Sequence, residues 1–237
     1  MKSHIRIGLA WSVLMIALMV GIVLYAGTQM PNGGEVGVHF GADGSADRYG
    51  SRQEAMTVLW LVPAIAAIIS AILASAPFLD PRKENLVVGR RAYIATWISV
   101  VTLMAALTAG IAFSMIRSLN PDWHGPELVR YIIAAVALQF VLIGNYLPKT
   151  RSSFIFGVRT PWTLSSDMAW EKTHRLAGPL FIIAGCLGFI GAFVFNGLWL
   201  ALQMTVLVLT AVLISVIYSY FAWRSAPDRE HGTNLTV

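Results

Sequence analysis

Long uncharged stretches separated by short polar segments dominate the pattern of this chain. At a rise of about 1.5 Å per residue, a helix needs roughly 20 residues to cross a hydrocarbon layer of about 30 Å. Stretches of about that length or longer, without Asp, Glu, Lys, Arg or His, lie at residues 7–34, 55–79, 92–116 and 131–148. Each of these four stretches is therefore predicted to span a membrane as one helix.

The fifth uncharged stretch, residues 176–223, is about twice too long for a single crossing. It must fold back, and Phe195-Asn196-Gly197 is its one plausible turn. Spanning strands are excluded because the stretches lack period-two alternation and far exceed the length of a membrane strand. We therefore predict an all-α polytopic membrane protein, a six-transmembrane-helix bundle forming a single membrane domain over residues 1–237. Its helices are expected at about 7–27, 55–79, 92–116, 131–147, 176–195 and 198–222.

Composition and charge placement extend this picture. Apolar residues make up 57% of the chain and charged residues only 12%, which excludes an ordinary soluble domain. Under the six-helix prediction, 13 of the 17 lysines and arginines fall on the side that carries both termini. Because positive residues concentrate in cytoplasmic loops, both termini are predicted to be cytoplasmic. The net charge of +5 then reflects membrane orientation, and no direct nucleic-acid partner is expected.

The outer loop, residues 28–54, lies between the first two predicted helices. Val36, Val38 and Phe40 alternate with small or polar residues before the turn-rich Gly41-Ala42-Asp43-Gly44. Alternation of this kind ahead of a turn is typical of a strand or hairpin. We predict such an element on the outer side of the membrane.

The signature segment, residues 148–175, is the polar region with the least ordinary residue choices. Pro148 should end the fourth helix, since proline pushes the preceding residue out of helical geometry. The apolar patch at 154–158 is too short to span, so it should lie against the bilayer or tuck under the bundle. Ser165 or Ser166 can cap a new helix that begins near Asp167.

Three chemically active residues fall on one face of that new helix. Asp167, Glu171 and His174 lie at i, i+4 and i+7, and Glu171 is four residues from Arg175. A metal or acid–base site is one interpretation, because Glu-x-x-His supplies half of a di-metal ligand set. A capped, ion-paired helix is the favoured interpretation, because the second half of the set is missing. We expect no catalytic residue, no metal and no cofactor, with an intramembrane metal-dependent enzyme kept as an alternative.

A membrane transporter or carrier for a small molecule or lipid is another alternative. Pro63 and Pro179 each remove a backbone donor within a predicted span and should kink or loosen its helix. However, ion-coupled transporters usually keep ionisable groups near the membrane midplane, and the predicted spans contain none. The pattern therefore argues against this class.

Motifs in and beside the signature segment resemble the SdpI family of bacterial membrane proteins. They are a GNYLPK run, a GxRTPWTLS run and a WxKTHRL run, found here at 144–149, 157–165 and 170–176. The outer loop is similar to the amino-terminal domain of unknown function that accompanies this family, at Met30-Pro31, His39-Phe40, Gly44, Asp47 and Tyr49-Gly50-Ser51. Ser152-Ser153 departs from the Pro-Asn pair that the resemblance leads us to expect.

The resemblance implies a multi-pass protein of the bacterial plasma membrane that gives immunity to a secreted antimicrobial peptide toxin. It also implies signal transduction, through capture of a cytoplasmic transcriptional repressor. We expect toxin sensing at His39, Phe40, Asp47 and Tyr49 of the outer loop. The cytoplasmic output surface is expected at Asn145, Pro148, Lys149, Arg159, Thr160, Pro161, Trp162, Thr163, Ser165, Trp170, Lys172, His174 and Arg175.

Overall fold

A computed structural model describes residues 2–41, 44–120 and 126–229. Within these ranges, six helices are long and apolar enough to cross a membrane, which confirms the predicted bundle. They are α1 (Lys2–Gln29), α2 (Arg52–Leu79), α4 (Arg90–Arg117), α5 (Pro126–Tyr146), α7 (Asp167–Val194) and α8 (Gly197–Arg224). Which end faces the cytoplasm stays a prediction from charge placement.

Shorter elements lie at the two ends of the bundle. At one end, strands β1 (Glu35–Phe40) and β2 (Ala46–Ser51) pair as an antiparallel hairpin, as the alternation predicted. At the other end lie helix α3 (Lys83–Val88), a 3₁₀ turn (Leu147–Lys149) and helix α6 (Pro161–Ser165). We call the two ends the hairpin face and the signature face.

Several helices extend beyond the uncharged stretches that revealed them. Helix α7 begins at Asp167, so the predicted capped helix and the fifth span are one continuous element. Hydropathy marks only the part of the helix that lies in hydrocarbon. The helix itself starts at its cap, Ser166, whose hydroxyl oxygen accepts a hydrogen bond from the backbone N–H of Ala169 at 2.9 Å. The chain then turns at Phe195 and Asn196, the predicted position, and Gly197 has a φ of 53° there.

The helices form two groups of three. Helices α1, α2 and α4 pack together around buried Met19, Val23, Leu59 and Trp97, and helices α5, α7 and α8 pack around Phe181 and a set of alanines. Helix α4 joins the groups by lying against α5, where Gln139 Nε2 donates to Ser99 Oγ at 2.9 Å. Small residues allow the close contacts that membrane helices need.

The crossing of α5 and α7 positions the start of the signature segment. A Cβ on Gly144 would lie 2.6 Å from the Gly178 carbonyl oxygen, and a Cβ on Gly178 would lie 2.6 Å from Pro148 Cγ. Both approaches are closer than carbon and oxygen atoms tolerate, so only glycine fits either position. This contact seats Pro148 against α7.

Candidate functional site

The signature segment folds across the end of the bundle and is not a free loop. Ile155 and Phe156 pack against the cluster that contains Tyr93 and Trp97, and the rings of Phe156 and Tyr93 meet edge to face at 5.6 Å. Of the two predicted placements of the apolar patch, the structure therefore shows the tucked one. Phe154, by contrast, remains 41% exposed.

One clasp on the segment comes from the turn between α2 and α3. Asp80 is 3% exposed and accepts three hydrogen bonds: Ser153 Oγ–H at 2.6 Å, the Phe154 N–H at 3.1 Å and the Arg82 N–H at 2.8 Å. A buried carboxylate is tolerated when its oxygens accept several donors. This single side chain fixes the backbone of the signature segment at 153–154.

Arg82 and Asn85 complete this clasp. Arg82 donates to the Leu164 carbonyl at 2.7 Å, contacts the Ser152 hydroxyl and stands 5.4 Å from the centre of the Phe154 ring. Asn85 Nδ2 donates to the Ser152 carbonyl at 2.8 Å. A planar guanidinium suits such a position, because it can donate to several acceptors while stacking on an aromatic face. We call Asp80, Arg82 and Asn85 the turn clasp.

Sequence reasoning missed the turn clasp entirely. The available signal was a lone carboxylate followed by Pro81 and Arg82 directly at the end of an uncharged stretch. A further signal was the Ser152-Ser153 pair, whose two short hydroxyl side chains turn out to be buried against these residues.

A second clasp is made by His174 on α7. The Val158 N–H donates to His174 Nε2 at 2.9 Å, and Nδ1 lies 2.8 Å from the Trp170 carbonyl oxygen. Since Nε2 accepts a hydrogen bond, its ring proton must be on Nδ1, where it donates to Trp170. The imidazole is 1% exposed and stacks on the Trp170 indole at 4.1 Å. His174 is therefore a neutral, fully used structural group.

Gly157 lets the segment approach this histidine. Its φ is +103°, a conformation that side-chain-bearing residues rarely adopt, and a Cβ there would collide with His174 Nε2 and lie 2.8 Å from Trp170 Cη2. The glycine of the GxRTPWTLS run is thus required both for its backbone angle and for its lack of side chain.

Helix α6 ties the segment to α8. Thr160 and Thr163 cap each other in a capping box, and Thr163 Oγ1–H donates to the Val158 carbonyl at 2.8 Å. Thr160 Oγ1 lies 3.1 Å from Ser219 Oγ on α8, and the Trp162 ring meets Tyr220 edge to face at 5.4 Å. The RTPWT run therefore builds a small capped helix and docks it.

The start of α7 receives a further anchor from the C-terminal end of the described chain. Asp228 accepts Ser166 Oγ–H at 2.5 Å and the Met168 N–H at 3.1 Å. Burial acts to raise the pKa of Asp228, but these hydrogen bonds and other backbone donors outweigh it, so the pKa lies below the usual 3.8. The ionised carboxylate thus sits at the positive end of a helix.

The predicted output residues divide by exposure. Four are buried: Thr160, Thr163, Trp170 and His174. Three are partly buried: Trp162, Ser165 and Lys172. The remaining six are exposed: Asn145, Pro148, Lys149, Arg159, Pro161 and Arg175. Only the exposed and partly exposed members can contact a partner directly.

The Asp167, Glu171 and His174 face does not come together as a ligand set. His174 uses both ring nitrogens, and Glu171 lies 3.4 Å from the Arg175 guanidinium on the helix surface. Among the described residues, no group of three or more His, Cys, Asp or Glu side chains is placed to hold a metal ion. The pairing of Glu171 with Arg175 is the one that the i, i+4 spacing predicted.

The predicted sensing residues lie at the opposite end. His39 Nδ1 lies 2.6 Å from the Asp47 carboxylate, with both side chains exposed, and Tyr49 is also exposed. Phe40 is half-buried against the first helix group, where Val36 and Val38 are buried. Helix α2 connects the two ends: its 28 residues span roughly 42 Å at helical rise, with Ser51 as the N-cap and Asp80 as the C-cap.

Two comparisons bear on this site. Residues 149–219 match the model of the SdpI/YfhL protein family. Over 89 residues the chain is 32% identical to Immunity protein SdpI of Bacillus subtilis (strain 168), an alignment that covers 38% of this chain and 42% of that protein. The alignment thus spans about two fifths of the relative's length. No solved structure matches the chain. The predicted resemblance to this family is thereby confirmed over residues 149–219, and with six helices able to span a membrane the chain is a multi-pass bacterial membrane protein.

Proposed function

We propose, from the match of residues 149–219 to the model of the SdpI/YfhL family, that this protein gives its bacterium immunity to a secreted antimicrobial peptide toxin. The similarity to a protein named Immunity protein SdpI motivates this function. The observation that carries it is that the matched region begins with the clasped signature segment, which three separate parts of the chain hold in one shape.

Immunity with signalling needs two surfaces and a connection between them. The hairpin face offers an exposed patch around His39, Asp47 and Tyr49 for toxin contact. The signature face offers exposed Lys149, Arg159 and Arg175 for a cytoplasmic partner. Helix α2 runs from one face to the other and ends in the turn clasp, so a shift of α2 would disturb the signature segment. The proposal assigns no catalytic step.

A bacterial survival assay tests the proposed immunity. Cells with and without this protein are exposed to candidate secreted peptides, with Tyr49→Ala as the hairpin variant and Thr28→Ala as a control outside the strands. Protection that is lost with Tyr49→Ala, at equal membrane levels, supports sensing at the hairpin. Equal survival with and without the protein, across the candidate toxins, would reject immunity.

Repressor capture is a finer part of the proposal and has its own test. Arg159→Ala removes an exposed cation that donates to the Phe154 carbonyl at 2.6 Å, whereas Arg224→Ala removes an exposed cation from the last turn of α8. We expect membrane recruitment of a fluorescent candidate repressor to fall with the first variant and persist with the second. Recruitment unchanged by Arg159→Ala, or absent with the unmodified protein, would separate immunity from repressor capture.

A carrier for a lipid or small apolar molecule is the second candidate function. An apolar cleft of about 360 Å³ lies between α5 and α8, lined by residues such as Ile133, Phe140, Met204 and Leu209. The buried amide of Gln203, the residue before Met204, has no hydrogen-bond partner among the described residues. Uptake of a fluorescent lipid by reconstituted vesicles, blocked by Val208→Trp, would favour this candidate over immunity.

A further inference from the structure

A groove at the signature face is lined by residues that the proposed function does not use. It lies where the start of α1, the end of α2 and helix α3 meet, and it encloses about 320 Å³. Its apolar walls come from Ile5, Pro77, Phe78 and Val87. A volume of this size falls within the range of small-molecule sites.

We expect the groove at the boundary between hydrocarbon and water. It lies where the uncharged stretches 7–34 and 55–79 end at the charged residues Arg6 and Asp80. Large apolar side chains around it remain uncovered by protein, with Phe78 78% exposed and Val88 65% exposed. Because an uncovered apolar surface beside a span faces lipid, acyl chains have direct access to the groove.

Charged groups at the groove define what else must bind. Lys2 and Lys83 line it together with Glu84. Neither lysine amine has a hydrogen bond or ion pair to any residue in the described ranges 2–41, 44–120 and 126–229. The two lysines and Glu84 together carry one net positive charge, which matches the single negative charge of a phosphodiester. Hydroxyl groups on the same head group would donate hydrogen bonds to the Glu84 carboxylate.

We propose that this groove binds one anionic phospholipid with a hydroxyl-bearing head group, of the phosphatidylglycerol type. An acyl chain lies along Ile5, Phe78 and Val87, the phosphate contacts Lys2 and Lys83, and the glycerol hydroxyls donate to Glu84. Basic pockets at the ends of membrane helices bind anionic head groups in this way. The proposal does not depend on immunity.

The site has a structural consequence for the signature segment. Lys83 follows Arg82 directly, and Asn85 lies two residues further on, so the lipid contacts the same turn that clasps Ser152 and Ser153. Occupancy of the groove therefore stabilises the turn clasp. Lipid composition would then alter the exposure of the signature segment.

Binding is measured by native mass spectrometry on the delipidated full-length protein, titrated with phosphatidylglycerol, phosphatidylcholine or soluble glycerophosphoglycerol. We expect phosphatidylglycerol to bind at least several-fold more tightly than phosphatidylcholine. The double variant Lys2→Gln/Lys83→Gln should weaken it by about fivefold for each lysine. The matched control, Lys149→Gln/Lys172→Gln, removes two cations from the same face and should leave binding unchanged.

A charge-neutral variant separates a lipid site from a phosphate site. Val87→Trp fills the apolar groove and should reduce phosphatidylglycerol binding while leaving both lysines in place. Equal loss in the two double variants would indicate diffuse surface electrostatics and overturn the proposal. Equal affinity for phosphatidylcholine, or soluble glycerophosphoglycerol binding as tightly as the lipid, would overturn it as well.

Discussion

The two ends of helix α2 are held by different kinds of interaction. At the hairpin face, buried Val36 and Val38 supply the packing, while the polar pairs of His39 with Asp47 and Arg48 with Glu54 are exposed. At the signature face, Asp80 and His174 make buried hydrogen bonds to backbone groups. The hairpin is therefore fixed mainly by apolar contact and the signature segment mainly by directional polar contact.

This difference sets how each end responds to change. An exposed ion pair contributes roughly 0.2–1 kcal/mol, because water solvates both partners when it opens. Leaving a buried donor or acceptor unsatisfied costs about 1–3 kcal/mol, because no water replaces the lost partner. The signature end should thus tolerate few substitutions, whereas the hairpin end should tolerate many.

Gly157→Ala should have the largest effect on this comparison. Alanine is strained at a φ of +103°, and its Cβ would collide with His174 and Trp170. The contact between the signature segment and His174 therefore cannot form without rearrangement. We expect a loss of about 3 kcal/mol or more of unfolding free energy. Thermal unfolding of the detergent-solubilised protein measures it. Gly33→Ala near the hairpin, where a Cβ meets nothing within 4 Å, is the matched control. Equal melting temperatures for the two variants would contradict the argument.

Asp80→Ala should have the second-largest effect. It leaves the Ser153 hydroxyl and the Phe154 N–H without their buried acceptor, and we expect the unfolding free energy to fall by about 2–4 kcal/mol. Amide hydrogen exchange should rise across residues 150–160. Asp47→Ala removes an equivalent carboxylate from the exposed hairpin pair and should cost less than about 1 kcal/mol. Similar exchange in both variants would show that Asp80 does not hold the segment.

The sequence predicts the apolar packing and the local contacts, but not the long-range polar contacts. The spans followed from uncharged length, and the hairpin followed from Val36 and Val38, because apolar periodicity reports burial directly. The cap at Ser166 and the Glu171–Arg175 pair were also predictable, since both are local interactions within a few residues. The apolar pattern and local interactions therefore predicted the helices and the hairpin that position the site.

The turn clasp could not be predicted, because the residues that it joins are far apart in sequence. Asp80 and Ser153 are separated by 73 positions, and no local pattern connects them. His174 was assigned to the cytoplasmic output surface through the family resemblance, but the structure buries it. Its burial depends on the segment at 157–158 folding back over it, a tertiary event that helix periodicity does not contain.

His174→Phe tests the second clasp more gently. Phenylalanine can still stack on Trp170, but it offers no acceptor to the Val158 N–H and no donor to the Trp170 carbonyl. We expect a loss of about 1–3 kcal/mol, measured by thermal unfolding. Arg175→Gln, one residue along, breaks only the exposed pair with Glu171 and should cost less than about 0.5 kcal/mol. If the two variants unfold at the same temperature, His174 contributes no more than a surface residue.

Asp228→Asn should have the smallest effect and a distinctive pH dependence. Because the pKa of Asp228 is depressed below 3.8 in the folded protein, the carboxylate's contribution is complete above that value and is lost as pH falls through the folded-state pKa. The melting temperatures of the original protein and the variant should therefore differ at pH 5–7 and converge in strong acid. Glu171→Gln, an exposed carboxylate on the same helix start, serves as the control. A difference that grows as the pH is lowered would show that the protonated side chain, not the carboxylate, holds the start of α7.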